Sequence, residues 1–171
     1  MEKVKGLKKL NKAVSAQLKP FGIDFAVCSD TYQYTTFEDD TTMVEFKPTE
    51  NSIEDGWFKD FIETRFNYKV KYPFVISLLH EVGHHKTLED ISGTVAEFCI
   101  AEKERIYEEM QIADGHRSKE LNYEYFNLPD EIVATAWAVE WAKKHPKKVK
   151  KIWKHCEKAF HEIYRKNGVT E

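Results

Sequence analysis

The sequence predicts an α+β fold in which a small antiparallel or mixed sheet packs on a central helix, with several additional helices around it. Three observations carry this expectation. Apolar and polar residues alternate between Ile23 and Phe46, and briefly in the extended segment NYKVKY before Pro73, whereas elsewhere apolar residues recur every three or four positions, so strands belong to one short segment and helices to most of the rest. The composition is 42% hydrophobic and 32% charged with seven Gly and five Pro, which is that of a chain folding around a core. Finally, 171 residues without a repeat, low-complexity tract or linker fit one domain, 1–171, helical from about residue 146 onward.

Val4, Leu7, Leu10, Val14 and Leu18 form one stripe of an amphipathic helix that Pro20 and Gly22 close. Ile23, Phe25 and Val27 then alternate with polar neighbours, and TYQYTTF and TTMVEF, separated by Glu38-Asp39-Asp40, supply the β-branched and aromatic residues of two more strands, read as a hairpin. Trp57, Phe58, Phe61 and Ile62 share a face of a helix over roughly 53–65. Pro73 opens the next helix, whose apolar face holds Val75, Leu78, Leu79 and Val82. A further helix runs from about Thr94 to Ile112 and stops near Asp114-Gly115. SKELNYEYFN reads as a loop. Leu128-Pro129-Asp130 opens a helix through Trp137 and Trp141 to about Lys144, and Pro146 opens the last one.

The formal charge of −3 gives no whole-chain reason to expect nucleic acid or an anionic membrane as partner. Cys28, Cys99 and Cys156 are odd in number and without CxxC spacing, which speaks against a disulfide framework or a thiolate zinc knuckle and for a reducing compartment. The lysine-bearing N-terminus lacks the apolar run of a signal peptide, and no stretch approaches the ~18 apolar residues of a membrane span. A cytoplasmic protein is expected.

The informative stretch is LLHEVGHHKTLED, Leu78 to Asp90. On a helix, residues four apart lie one turn above each other, so His80 and His84 can offer two imidazoles to one ion, with Glu81 projecting from the adjacent edge as a base for water. Gly83 costs such a helix about 1 kcal/mol relative to Ala, an expense with a reason if another backbone, such as a strand, approaches closely there. A third ligand is needed, and three residues compete for the position. His85 points about 100° away around the helix. Asp90 completes HExxHxxTxxD, similar to the metzincin arrangement, although Thr87 stands where that group has the glycine that permits a sharp turn. Glu131 opens EIVATAWAVEWA, at the start of a helix whose apolar side can pack on the HEVGH helix.

A HExxH helix followed by a Glu from a later helix resembles the gluzincins, and within them the ImmA/IrrE metallopeptidases, where a helix of pattern ExEANxFA follows HExGH. On that pattern Glu131 takes the ligand position, Ala134 the small residue, Trp137 the aromatic and Ala138 the final alanine. Val133 replaces the second Glu and Thr135 the Asn that would orient a histidine, a task its hydroxyl can share. The resemblance implies a zincin-like fold and a Zn2+ ion held by His80, His84 and Glu131. It also implies Glu81 as the catalytic base of a peptidase acting on a protein or peptide, regulatory and set in a phage or mobile element. Two other classes compete with it: a non-catalytic interaction module that keeps the fold, and a DNA-associated metalloprotease using the basic C-terminal helix. In that helix Lys147, Lys148, Lys150, Lys151 and Lys154 face away from an apolar stripe, which reads first as a docked helix with a solvated face. Tyr123, Tyr125 and His116 are candidates for stabilising an oxyanion.

Overall fold

Apolar spacing of three and four residues governs most of the chain, and helices follow it. The computed structural model describes residues 7–27, 33–36, 42–46 and 56–167. Its helices are α1 (Leu7–Leu18), α2 (Gly56–Phe66), α3 (Pro73–Lys86), α4 (Gly93–Met110), α5 (Gly115–Phe126), α6 (Pro129–Lys144) and α7 (Pro146–Asn167). Three strands of four or five residues precede α2: β1 (Asp24–Val27), β2 (Gln33–Thr36) and β3 (Thr42–Phe46). They stand in the order β1-β3-β2, with β1 parallel to β3 through Phe25 opposite Val44, and β2 antiparallel to β3 through Tyr34 opposite Val44. Cys28 lies outside the described residues.

The expected α+β, zincin-like class is overturned. From Gly56 to Asn167 the chain holds no strand, and the architecture is that of a helical bundle. The reason lies in α3. A helix that rests on a sheet needs one apolar face, but Phe74, Val75, Ile76, Leu78, Leu79 and Val82 are all buried, so α3 is enclosed on more than one side, chiefly by α6, with α2, α7, β2 and β3 also against it. The main core draws Leu10, Val14 and Leu18 from α1, Phe58, Phe61 and Ile62 from α2, Ala138, Val139 and Ala142 from α6, and Val149, Ile152, Cys156 and Phe160 from α7. Four- and five-residue strands offer too little apolar face to rival that.

The segment 118–127, read as a loop, is most of α5. Periodicity gave no sign of it because Leu121 is its only buried residue. Charge and capping hold it instead. The Asp114 side chain accepts from the Arg117 N–H at 2.9 Å, and Arg105 and Arg117 tie Glu109 on α4 to Glu124 on α5. A second small core of Cys99, Ile106, Leu121 and Leu128 fills the space between α4, α5 and the start of α6.

On α7, the apolar stripe is buried and Lys147, Lys148, Lys150, Lys151 and Lys154 are exposed, the arrangement of a docked helix with a solvated basic face. Among the described residues no helix is long and apolar enough to cross a membrane.

Candidate metal centre

The site is built where α3 crosses α6. Ala134, Ala138 and Ala142, one turn apart, form a stripe of methyl groups within the buried side of α6, and Gly83 answers with no side chain at all. A Cβ on Gly83 would lie 2.3 Å from the Ala134 carbonyl oxygen, so the two backbones touch there and only glycine fits. The close approach expected at Gly83 is therefore made by a helix, not by a strand.

That contact sets two pairs of residues face to face. His80 and His84 stand one turn apart on α3, and Glu131 and Thr135 one turn apart on the first turns of α6. Thr135 Oγ1 lies 3.0 Å from His80 Nδ1, which leaves His80 Nε2 to face Glu131 Oε2 at 3.0 Å. His84 Nε2 is 3.1 Å from His80 Nε2 and 3.5 Å from Glu131 Oε1. Phe58 packs edge-on against the His80 ring at 5.0 Å. Thr135 thus holds His80 through its hydroxyl.

These three side chains form a buried group that could hold a metal ion. Their spacing can be tested against a known coordination geometry: tetrahedral ligands about 2.0–2.1 Å from zinc stand roughly 3.3 Å from each other. His80 Nε2 stands 3.0 Å from Glu131 Oε2 and 3.1 Å from His84 Nε2, both near that value, while the 3.5 Å contact of His84 Nε2 is to the other Glu131 oxygen, Oε1. Two neutral imidazoles and one carboxylate are a donor set suited to a divalent ion.

The electrostatics follow from burial and pairing. Burial alone would raise the Glu131 carboxyl, but hydrogen bonds from His80 and His84 outweigh it and hold the group well below the usual carboxylate range. Burial alone would likewise lower His84, and the hydrogen bond and charge of Glu131 reverse the sign and raise it. Glu81 lines the same cleft half-buried, and desolvation pushes its carboxyl up despite the neighbouring histidines. A carboxylate so placed is a stronger base than one in water.

The other candidates fall elsewhere. Asp90 ends an exposed 3-10 turn (Leu88–Asp90) and is outside the group. Thr87, at the position of the metzincin glycine, caps α3 instead, its hydroxyl donating to the Gly83 carbonyl at 2.9 Å. His85 is half-buried and not a member of the group. Among the residues considered for an oxyanion, Tyr125 lines the cleft, Tyr123 packs on the main core, and His116 is exposed beside Glu120.

Lys103 on α4 was not anticipated. Its ammonium lies 2.5 Å from Glu131 Oε1 and 2.6 Å from Asp130 Oδ2, and 5.3 Å from the centre of the Tyr125 ring. Burial would lower its pKa, but the charge of Glu131 and the hydrogen bond with Asp130 push it up, so the group stays charged. A signal did exist in the sequence: Cys99, Lys103 and Ile106 fall on one helical stripe, and a lysine between two core positions is unusual enough to need a buried partner.

The cleft that these residues floor has a volume of about 710 Å³ and opens to solvent. Leu88, Ile100 and Tyr107 line it and are more than half exposed, which gives the opening an apolar rim. Compared with protein-family models, with curated proteins and with solved structures, the chain finds no match in any of the three.

Proposed function

We propose that the protein is a zinc-dependent metallopeptidase acting on protein or peptide substrates. The observation that carries the reading is the convergence, at one cleft, of a His-His-Glu donor set close enough to share one ion and a half-buried carboxylate, Glu81, that is not a member of the set. The resemblance of HEVGH and the Glu131 helix to the ImmA/IrrE metallopeptidases supports the same reading from the sequence side.

When bound, zinc supplies Lewis acidity, lowering the pKa of water toward ~7 and polarising a peptide carbonyl. The chain's residues do the rest. His80, His84 and Glu131 hold the ion, and Thr135 keeps His80 turned so that Nε2 faces inward. Glu81, next to His80 but off the ligand face, takes a proton from water as it attacks and returns it to the departing amine. The apolar rim of Leu88, Ile100 and Tyr107 suits an extended peptide lying across the cleft with nonpolar side chains toward it.

Glu81→Gln separates chemistry from binding, because it leaves all three ligands in place. The variant is expected to bind zinc like the unaltered protein and to lose hydrolysis of an unfolded protein substrate by about 10²–10⁴-fold, the range a positioned base contributes. Hydrolysis at the unaltered rate would sink the mechanism.

A further inference from the structure

We infer that Lys103 is a positioning residue that holds one oxygen of Glu131 away from the metal, so that Glu131 ligates through the other oxygen alone and the fourth coordination position stays open. The inference rests on the reading of His80, His84 and Glu131 as metal ligands and assigns a role to a side chain outside that set.

Glu131 has both oxygens close to the histidines, Oε2 at 3.0 Å from His80 Nε2 and Oε1 at 3.5 Å from His84 Nε2. Left to itself, such a carboxylate can chelate a zinc ion with both oxygens. A two-oxygen carboxylate and two imidazoles already make four donors, so water or substrate can enter only as a fifth ligand. The Lys103 ammonium, 2.5 Å from Oε1, competes for that oxygen and leaves Oε2, the one beside His80, to face inward.

The lysine is itself anchored, which separates it from a surface cation that happens to be near. Asp130 Oδ2 holds the ammonium at 2.6 Å while Asp130 Oδ1 accepts from the Glu131 backbone N–H at 3.0 Å, so one carboxylate ties Lys103 to the residue it positions. The Tyr125 ring bounds the ammonium on another side. The two neighbours of Lys103 on its helical stripe, Cys99 and Ile106, are buried, which fixes the stem. Because Lys103 touches Glu131 and comes from α4, it makes the coordination mode depend on how α4 docks against α6.

The test replaces zinc by Co2+, whose visible absorption is strong with four ligands and weak with five. Bound to the whole protein, Co2+ is expected to give intense four-coordinate bands. In Lys103→Met, Glu131 becomes free to chelate, and the bands should fall severalfold at unchanged Co2+ stoichiometry. Lys103→Arg, which keeps a cation, should restore them. A merely structural lysine would change thermal stability without moving the spectrum.

Lys103→Met with bands as intense as those of the unaltered protein overturns the inference and leaves the metal reading standing. A folded Lys103→Met that takes up no Co2+ also overturns it, since both histidines and Glu131 remain. If Lys103→Met fails to fold by circular dichroism, Asp130→Asn, which removes an anchor but leaves the charge, serves in its place: weakened bands support the inference and unchanged bands overturn it. Failure of the unaltered protein to bind Co2+ or Zn2+ instead overturns the metal reading itself, which keeps the two failures distinct.

Discussion

Gly83→Ala probes the contact on which the whole site depends. The added Cβ would lie 2.3 Å from the carbonyl oxygen of Ala134 and 2.9 Å from its carbonyl carbon. Carbon contacts are comfortable at about 3.5–4.0 Å, and the obstacle is helix backbone that cannot rotate aside, so α3 and α6 must part by on the order of 1 Å. Overpacking of this kind costs about 1–3 kcal/mol, and replacing a mid-helix glycine by alanine returns about 1 kcal/mol, which leaves a net loss of about 0–2 kcal/mol. The site should suffer more than the fold. Metal–ligand distances hold to within about 0.2 Å, and Glu131 moves with Ala134 on the same turn of α6. Zinc affinity should therefore fall at least about tenfold, as it does when a ligand loses its support. Urea denaturation of the metal-free protein reads the first effect, and competition with a chelating dye reads the second. Gly115→Ala is the control: a Cβ there meets nothing within 4 Å, so stability should hold or rise and zinc binding should not change. Gly83→Ala that binds zinc as tightly as the unaltered protein, with an undiminished urea midpoint, would refute the reasoning.

Thr135→Val removes the fully buried hydroxyl 3.0 Å from His80 Nδ1 at nearly constant volume, and should weaken zinc binding about 10–100-fold with the fold retained. An unaltered zinc dissociation constant would show that the hydroxyl does not orient the histidine. Metal affinity should also depend on pH in a set direction. Burial would lower His84, but Glu131 overrides it and raises the group above its ordinary 6.5, so the metal must displace a proton that persists to higher pH. Calorimetry should find affinity increasing as pH rises through 6.5 and levelling only above the raised value; a flat profile from about pH 6 to 8 would contradict this. Ser77, on α3, buries an Oγ with no hydrogen-bond partner, so Ser77→Ala should be neutral or stabilising by up to about 1 kcal/mol in thermal unfolding, and a loss of more than that would point to an unseen partner.

Local spacing made half of the site legible. The interval of four between His80 and His84 needs only the geometry of one helix, and the structure places both imidazoles together with Glu131. Glu131 was reachable only through a resemblance, because 47 residues separate it from His84 and no periodicity spans that distance. Gly83 announced a close neighbour but not its kind; a missing Cβ is the same signal for a strand and for a helix faced with alanines. The fold class failed for a related reason. Alternation around Phe25 and Val44 reports that strands exist, not how much of the core they carry, and α3 proved to be buried chiefly against another helix, α6. α5 escaped notice because ion pairs between Arg105, Arg117, Glu109 and Glu124 hold it, and charges on a helix surface leave no apolar period to read.

The most direct test of the central claim is metal content. Purified in parallel and analysed by mass spectrometry for bound metal, the unaltered protein and Asp90→Ala should each carry one zinc per chain, while His84→Ala and Glu131→Ala should carry little or none. Stoichiometric zinc in Glu131→Ala, with its loss in Asp90→Ala, would contradict the assignment and move the third ligand back to the exposed turn after α3.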